Sequence, residues 1–139
     1  MPEKKKKLFK LDIKSNSRHL GKVERLSEQV AKYANLNESD TDDLGIVTTE
    51  LVNNAIHHGN KDDSSKKVFI LFTVNNSKVE LRIKDQGGGF DPDQLRDPLA
   101  PENLLSESGR GLFLIRNLMD GLEYNFSDEG TEIIVYKKI

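Results

Sequence analysis

Three short stretches carry residues whose types and spacing could do chemistry. The first is "ELVNNAIHHGN", residues 50–60, which mixes a glutamate, asparagines and histidines with apolar residues at helical spacing. On a helix turning about 100° per residue, Leu44, Val47, Leu51, Val52, Ala55 and Ile56 share one apolar arc. Glu50 and Asn54 stand side by side at its border, one turn apart, with His57 just beyond. A carboxylate at the seam where a helix leaves the core can act as a general base, and a carboxamide oxygen beside it can serve as a hard ligand for Mg²⁺. The same pair would also suit an ordinary i,i+4 contact between boundary residues. The second stretch is "DQGGGFD", 85–91, directly after an alternating run. Asp85 could accept a hydrogen bond from an exocyclic amine, and Gly87 and Gly89 would let the backbone approach a ligand closely. Glycine-rich turns after strands are also common without any ligand. The third is "SGRGL", 108–112, which opens a helical pattern. Backbone N–H groups exposed at a helix N-terminus make a phosphate site, and a plain capped start would read the same way.

These stretches need elements to position them. "LFKLDI" (8–13) alternates as a strand, and 17–36 repeats apolar residues at helical spacing with Ser17 as a plausible N-cap. Residues 37–59 form a second helix with an acidic start and Gly59 as a natural C′ residue. "KKVFILFTV" (66–74) and "KVELRIKD" (78–85) flank a hairpin turn. Residues 86–108 lack periodicity and are longer than an ordinary connection, which is usual for functional loops. A third helix comes next over 109–122, then a hairpin of 122–126 and 131–139 around "SDEG". Hairpins separated by helices predict an α+β two-layer sandwich: a mixed, mostly antiparallel sheet with helices on one face.

Composition narrows the function classes. The 139 residues suffice for one domain with a single core. A net charge of −2 gives no global electrostatic support for nucleic-acid binding. The basic run Lys4 to Lys7 reads as part of a solvated tail over 1–7. Without cysteine there is no disulfide framework and no thiolate ligand or nucleophile. His57 and His58 are adjacent and lack HExxH spacing, so they do not read as a metal site. No apolar run reaches the ~20 residues of a membrane span, and the N-terminus has no signal-peptide core, so the cytoplasm is the expected location.

Taken together and in this order, the three stretches resemble the nucleotide-binding signatures of the GHKL ATPase superfamily. "ELVNNA" with Glu50 and Asn54 looks like its N box, "DQGGGF" with Asp85, Gly87 and Gly89 like the first glycine box, and "GRGL" with Gly109, Arg110, Gly111 and Leu112 like the second. "GTEIIV" with Thr131 looks like the closing strand. The short free-standing form is most similar to the anti-sigma regulatory factors, which are serine-protein kinases of bacterial partner switches.

The resemblance implies ATP and Mg²⁺ as cofactors. Glu50 would be the general base and Asn54 the Mg²⁺ ligand. Asp85 would accept from the adenine amino group, supported by Gly87, Gly89 and Thr131. Gly109, Arg110, Gly111 and Leu112 would cradle the phosphates, and 90–108 would be the ATP lid. It implies further that the protein sequesters a sigma factor, phosphorylates a serine or threonine of a STAS-type anti-anti-sigma protein, and forms a homodimer without contacting nucleic acid or membrane. No lysine stands in the glycine-rich loop, which excludes a P-loop. Glu107 occupies a place where some kinase-active relatives carry a basic residue. That substitution suits the alternative reading, a non-catalytic ATP-binding partner-switch module.

Overall fold

The computed structural model describes residues 6–87 and 114–139, with the backbone alone at Phe126. Strand β1 spans Lys7–Lys14, α1 Leu20–Tyr33, α2 Glu38–Asn54, β2 Lys67–Val74, β3 Lys78–Lys84, β4 Gly121–Ser127 and β5 Gly130–Lys138. A 3-10 turn, Ser17–His19, precedes α1, a π-helical turn, Ala55–Gly59, extends α2, and residues 114–118 are helical.

The expected helix over 17–36 is divided. Asn16, not Ser17, caps its start by accepting from the Arg18 amide at 3.0 Å. Both residues are good caps, and the extended backbone at Asn16 decides between them. The helix stops at Tyr33 because Asn35 turns into the left-handed region (φ 56°), which asparagine tolerates better than most residues. Asn37 caps α2 by accepting from Asp40 N at 2.7 Å. Glu38 and Asp40 then lie in the first turn, where the helix dipole favours negative charge. β1 begins at Lys7, within the stretch that reads as a tail in the sequence, and the Lys7 ammonium sits 4.7 Å from the centre of the Tyr33 ring.

The strands run in the order β1-β2-β3-β5-β4, and every described pairing is antiparallel. Period-two alternation decides which face is covered. Val68, Ile70, Phe72 and Val74 of β2 are buried, as are Val79, Leu81 and Ile83 of β3. Register brings Phe72 opposite Leu81, and Leu81 opposite Val135 of β5. Val23 and Val30 of α1, Leu44, Val47, Leu51 and Val52 of α2, and Ile115 close over this face. The other face carries Lys10, Phe69, Arg82 and Lys84, of which Phe69 is 37% exposed. This is the expected α+β sandwich with helices on one side.

One side chain fastens the later helical segment to α2. Lys137 Nζ donates to the Leu118 carbonyl at 2.9 Å and pairs with Asp40 and Asp43 at 3.5 and 3.8 Å.

Candidate functional site

Helix α2 carries Glu50 and Asn54 on consecutive turns, both half-buried, as their border position requires. Glu50 lines an open groove of about 650 Å³ between α1 and α2, with Glu24, Ser27, Glu28, Thr41 and Asp42 among its walls. Among the described residues, Asn54 Nδ2 is buried with no hydrogen-bond partner. Such a group costs roughly 1–3 kcal/mol when left unpaired, so Asn54 carries bonding capacity that the described residues do not use.

Asp85 lies just past the end of β3 and is 5% exposed. Its amide donates to Thr131 O at 3.0 Å, continuing the β3–β5 ladder by one bond. Its Oδ1 accepts from the amides of Gly87 and Thr131, both at 3.0 Å. Its Oδ2 lies against Gly59, where an added Cβ would overlap the carboxylate. The sequence suggests Gly59 as a left-handed C′ residue, but Gly130 is the only described glycine with positive φ. The lack of a side chain at Gly59 instead admits Asp85. A Cβ at Gly87 would meet the Gly59 carbonyl, and one at Gly130 (φ 137°) would lie 2.9 Å from Asp85 Oδ1. Three glycines therefore form a cradle around one carboxylate. Thr131 Oγ1 is buried beside it without a partner among the described residues.

The structure thus brings Asp85, Gly87 and Thr131 together, and places Glu50 and Asn54 along one helix edge. Gly89, Gly109, Arg110, Gly111 and Leu112, with the expected lid 90–108, lie outside the described residues.

Between the two groups α2 changes pitch. In the π-helical turn, Asn60 N donates to Ala55 O and Asp62 N to Ile56 O, both at 2.8 Å. π-turns inside helices are frequent at functional sites. Lys61 and Asp62 then adopt left-handed backbone (φ 52° and 60°), and Asp62 meets His57 Nδ1 at 2.5 Å. Sequence reasoning overlooks Asn60. It is 1% exposed, and its amide contacts Ser15, Lys67 and Gln86. An asparagine after a glycine at a helix end reads locally as a cap, so no signal marks it.

A buried carboxylate held by two backbone amides suits a ligand that donates a hydrogen bond, and Thr131 Oγ1 beside it offers a further polar group. Comparison with other proteins agrees. Serine-protein kinase RsbW of Bacillus velezensis is 30% identical over 135 residues, covering 93% of this chain and 84% of that protein. Its counterpart in Bacillus subtilis is 30% identical over 118 residues, covering 81% and 74%. A crystal structure of the RsbU and RsbW domains of a Mycobacterium tuberculosis protein superposes with TM-score 0.69 at 15% identity, covering 94% of this chain. This chain spans 31% of that longer protein. The catalytic domain of the histidine kinase ThkA superposes with TM-score 0.56 at 18% identity, covering 94% of this chain and 97% of that one. At these identities the superpositions establish the fold alone. The family described as histidine kinase-like ATPase domain matches residues 13–137, nearly the whole chain, and this protein belongs to that family.

Proposed function

We propose that this protein is an ATP-dependent serine-protein kinase of a partner switch, which sequesters a sigma factor and phosphorylates a serine or threonine of a STAS-type anti-anti-sigma protein. The observation that carries this reading is the Asp85 cradle. Two backbone amides fix one carboxylate oxygen, and the other is left facing a glycine. Such an oxygen suits the amino group of adenine and opposes the carbonyl that guanine presents at the equivalent place. Similarity to RsbW kinases over most of both chains supports the activity.

The reaction joins the acceptor hydroxyl oxygen to the γ-phosphorus of ATP, breaks the bond to the β-bridging oxygen and releases ADP. Glu50 takes the hydroxyl proton from its half-buried position on the wall of the groove between α1 and α2. The Asn54 carboxamide would hold Mg²⁺, which when bound neutralises phosphate charge. Arg110 and the amides of Gly109, Gly111 and Leu112 would hold the phosphates, Gly89 would complete the base pocket, and 90–108 would close over it as a lid. A homodimer in the cytoplasm is part of the proposal. No described helix is long and apolar enough to cross a membrane.

The test is transfer from γ-labelled ATP to STAS-type proteins from the same genome, with phosphoamino-acid analysis of the product. Label on serine or threonine is expected. Glu107 favours a second reading, in which ATP is a structural ligand and no transfer occurs. ATP-dependent stabilisation with no labelled acceptor would select it. No thermal shift with any nucleotide would remove both.

A further inference from the structure

We infer that Asn60 is a positioning residue for nucleotide-base recognition, and that it sets purine discrimination by fixing the Asp85–Gly87 segment against the end of α2. The inference rests on the proposed role of Asp85 as the acceptor for the adenine amino group.

Asn60 uses its whole amide. Nδ2 donates to Ser15 Oγ at 2.6 Å and to the Lys67 carbonyl at 2.9 Å. Oδ1 accepts from Gln86 N at 2.7 Å. Gln86 Oε1 in turn accepts from Lys67 N at 2.7 Å, and Ser15 Oγ donates to Lys66 O at 3.0 Å. One buried carboxamide therefore joins the end of β1, the start of β2 and the residue between Asp85 and Gly87. Its own backbone is fixed to α2 by the π-type bond to Ala55 O.

The Gln86 bond is the informative one. Gln86 lies past the last β3–β5 pair, so no ladder holds its amide. Asn60 supplies that restraint, and Gly59, the residue before it, is the wall against which Asp85 Oδ2 rests. The same short segment thus provides both the surface behind the carboxylate and the anchor for the backbone that carries it. Two successive left-handed non-glycine residues, Lys61 and Asp62, come directly after. Strained backbone of this kind persists where the surroundings over-determine it, and it clusters at ligand sites. Here the Asp62 amide is held by Ile56 O and its carboxylate by His57 Nδ1, directly beyond Asn60.

Removal of the Oδ1 bond should let Asp85 shift relative to α2 without removing the carboxylate. Misplacement costs recognition and not merely stability. Ser15 separates the two effects, because Ser15→Ala removes a neighbour of the same network and leaves the Oδ1–Gln86 bond in place.

The experiment is titration calorimetry of the full chain with Mg-ADP and Mg-GDP, at a temperature where circular dichroism shows every variant folded. Wild type should prefer ADP, and Asp85→Asn should lose that preference. Asn60→Ala should lower the ADP-to-GDP preference about tenfold. Ser15→Ala should lower Tm and keep the preference within about twofold of wild type. Equal ADP-to-GDP preference in wild type and Asn60→Ala, with Asp85→Asn behaving as expected, overturns the positioning role alone. Equal binding of ADP and GDP by wild type overturns the proposed role of Asp85, and this inference with it. If Asn60→Ala does not fold, Asn60→Ser, which falls short of Gln86 N, is measured in its place with the same two outcomes.

Discussion

The corner around Asp85 and the edge of α2 are built in opposite ways. At the corner the chain meets most of its own requirements: both Asp85 Oδ1 bonds come from backbone, three glycines make the space, and Asn60 is fully engaged, with Thr131 Oγ1 the exception among the described residues. At the edge it does not: Asn54 Nδ2 has no partner among the described residues, and Glu50 faces an open groove. The half proposed to read the base is pre-organised by the chain's own backbone, whereas the half proposed to hold metal and phosphate has fewer fixed contacts among the described residues. Preformed donors and acceptors recognise at little ordering cost, and groups completed by the ligand couple binding to chemistry.

That contrast can be broken at several points. Glu50→Ala attacks the open edge and should lower phosphotransfer by roughly 10²–10⁴-fold while leaving ATP affinity within about twofold. Unchanged transfer would show that the proton goes elsewhere. Asp85→Asn attacks the built corner, where loss of a charge-assisted bond should weaken ADP binding about 10- to 100-fold by calorimetry. An unchanged Kd would remove Asp85 from the site. Gly59→Ala places a methyl group on the Asp85 carboxylate and should destabilise the protein by ~1–3 kcal/mol, with a matching loss of ADP affinity. A neutral denaturation midpoint would mean that the corner can relax around the added methyl.

Asn54→Ala should behave unlike all of these. Removing an amide whose Nδ2 has no partner among the described residues should leave nucleotide-free stability unchanged or raise it by up to ~1 kcal/mol, while abolishing the extra stabilisation that Mg²⁺ adds to ATP. A Mg²⁺ increment equal to that of wild type would rule out Asn54 as ligand. The smallest effect concerns the turn beyond Asn60. Two hydrogen bonds from Ser65, side chain first and backbone second, hold the Asp63 carboxyl below its ordinary value. The turn is therefore most stable above the ordinary carboxylate range and loosens as pH falls through the lowered value. The Ser65 amide shift monitored by NMR on acidification should titrate below that range. Titration at the ordinary value would show that the bonds do not hold in solution.

Legibility in the sequence tracks the range of the forces involved. Glu50 and Asn54 are readable because helical periodicity alone sets their place at the border of the apolar arc. Asp85 is readable because it ends an alternating strand. The two-layer architecture comes from the order of such segments. Gly59 is misread, since its role depends on a carboxylate distant in sequence and not on its own turn. Asn60 goes unnoticed for the same reason, as its three partners lie on three different segments. The pairing of β3 with β5 is equally hidden, because local pattern does not choose a neighbour across a long intervening stretch.

The π-helical turn has a consequence for how the chain can change length. It accommodates a wider helical turn immediately before Gly59. Deleting one residue from 55–58 while the wide turn is kept would rotate the downstream chain by roughly one residue's step about the helix axis. Gly59 would leave the Asp85 wall although no residue of the cradle had been substituted. Gains and losses of residues should therefore be tolerated in the hairpin turn at Asn75–Ser77 and rejected here. A library of single-residue deletions, selected for ADP binding, would show a gap over 55–60 if this register constrains the protein's evolution, and an even spread if it does not.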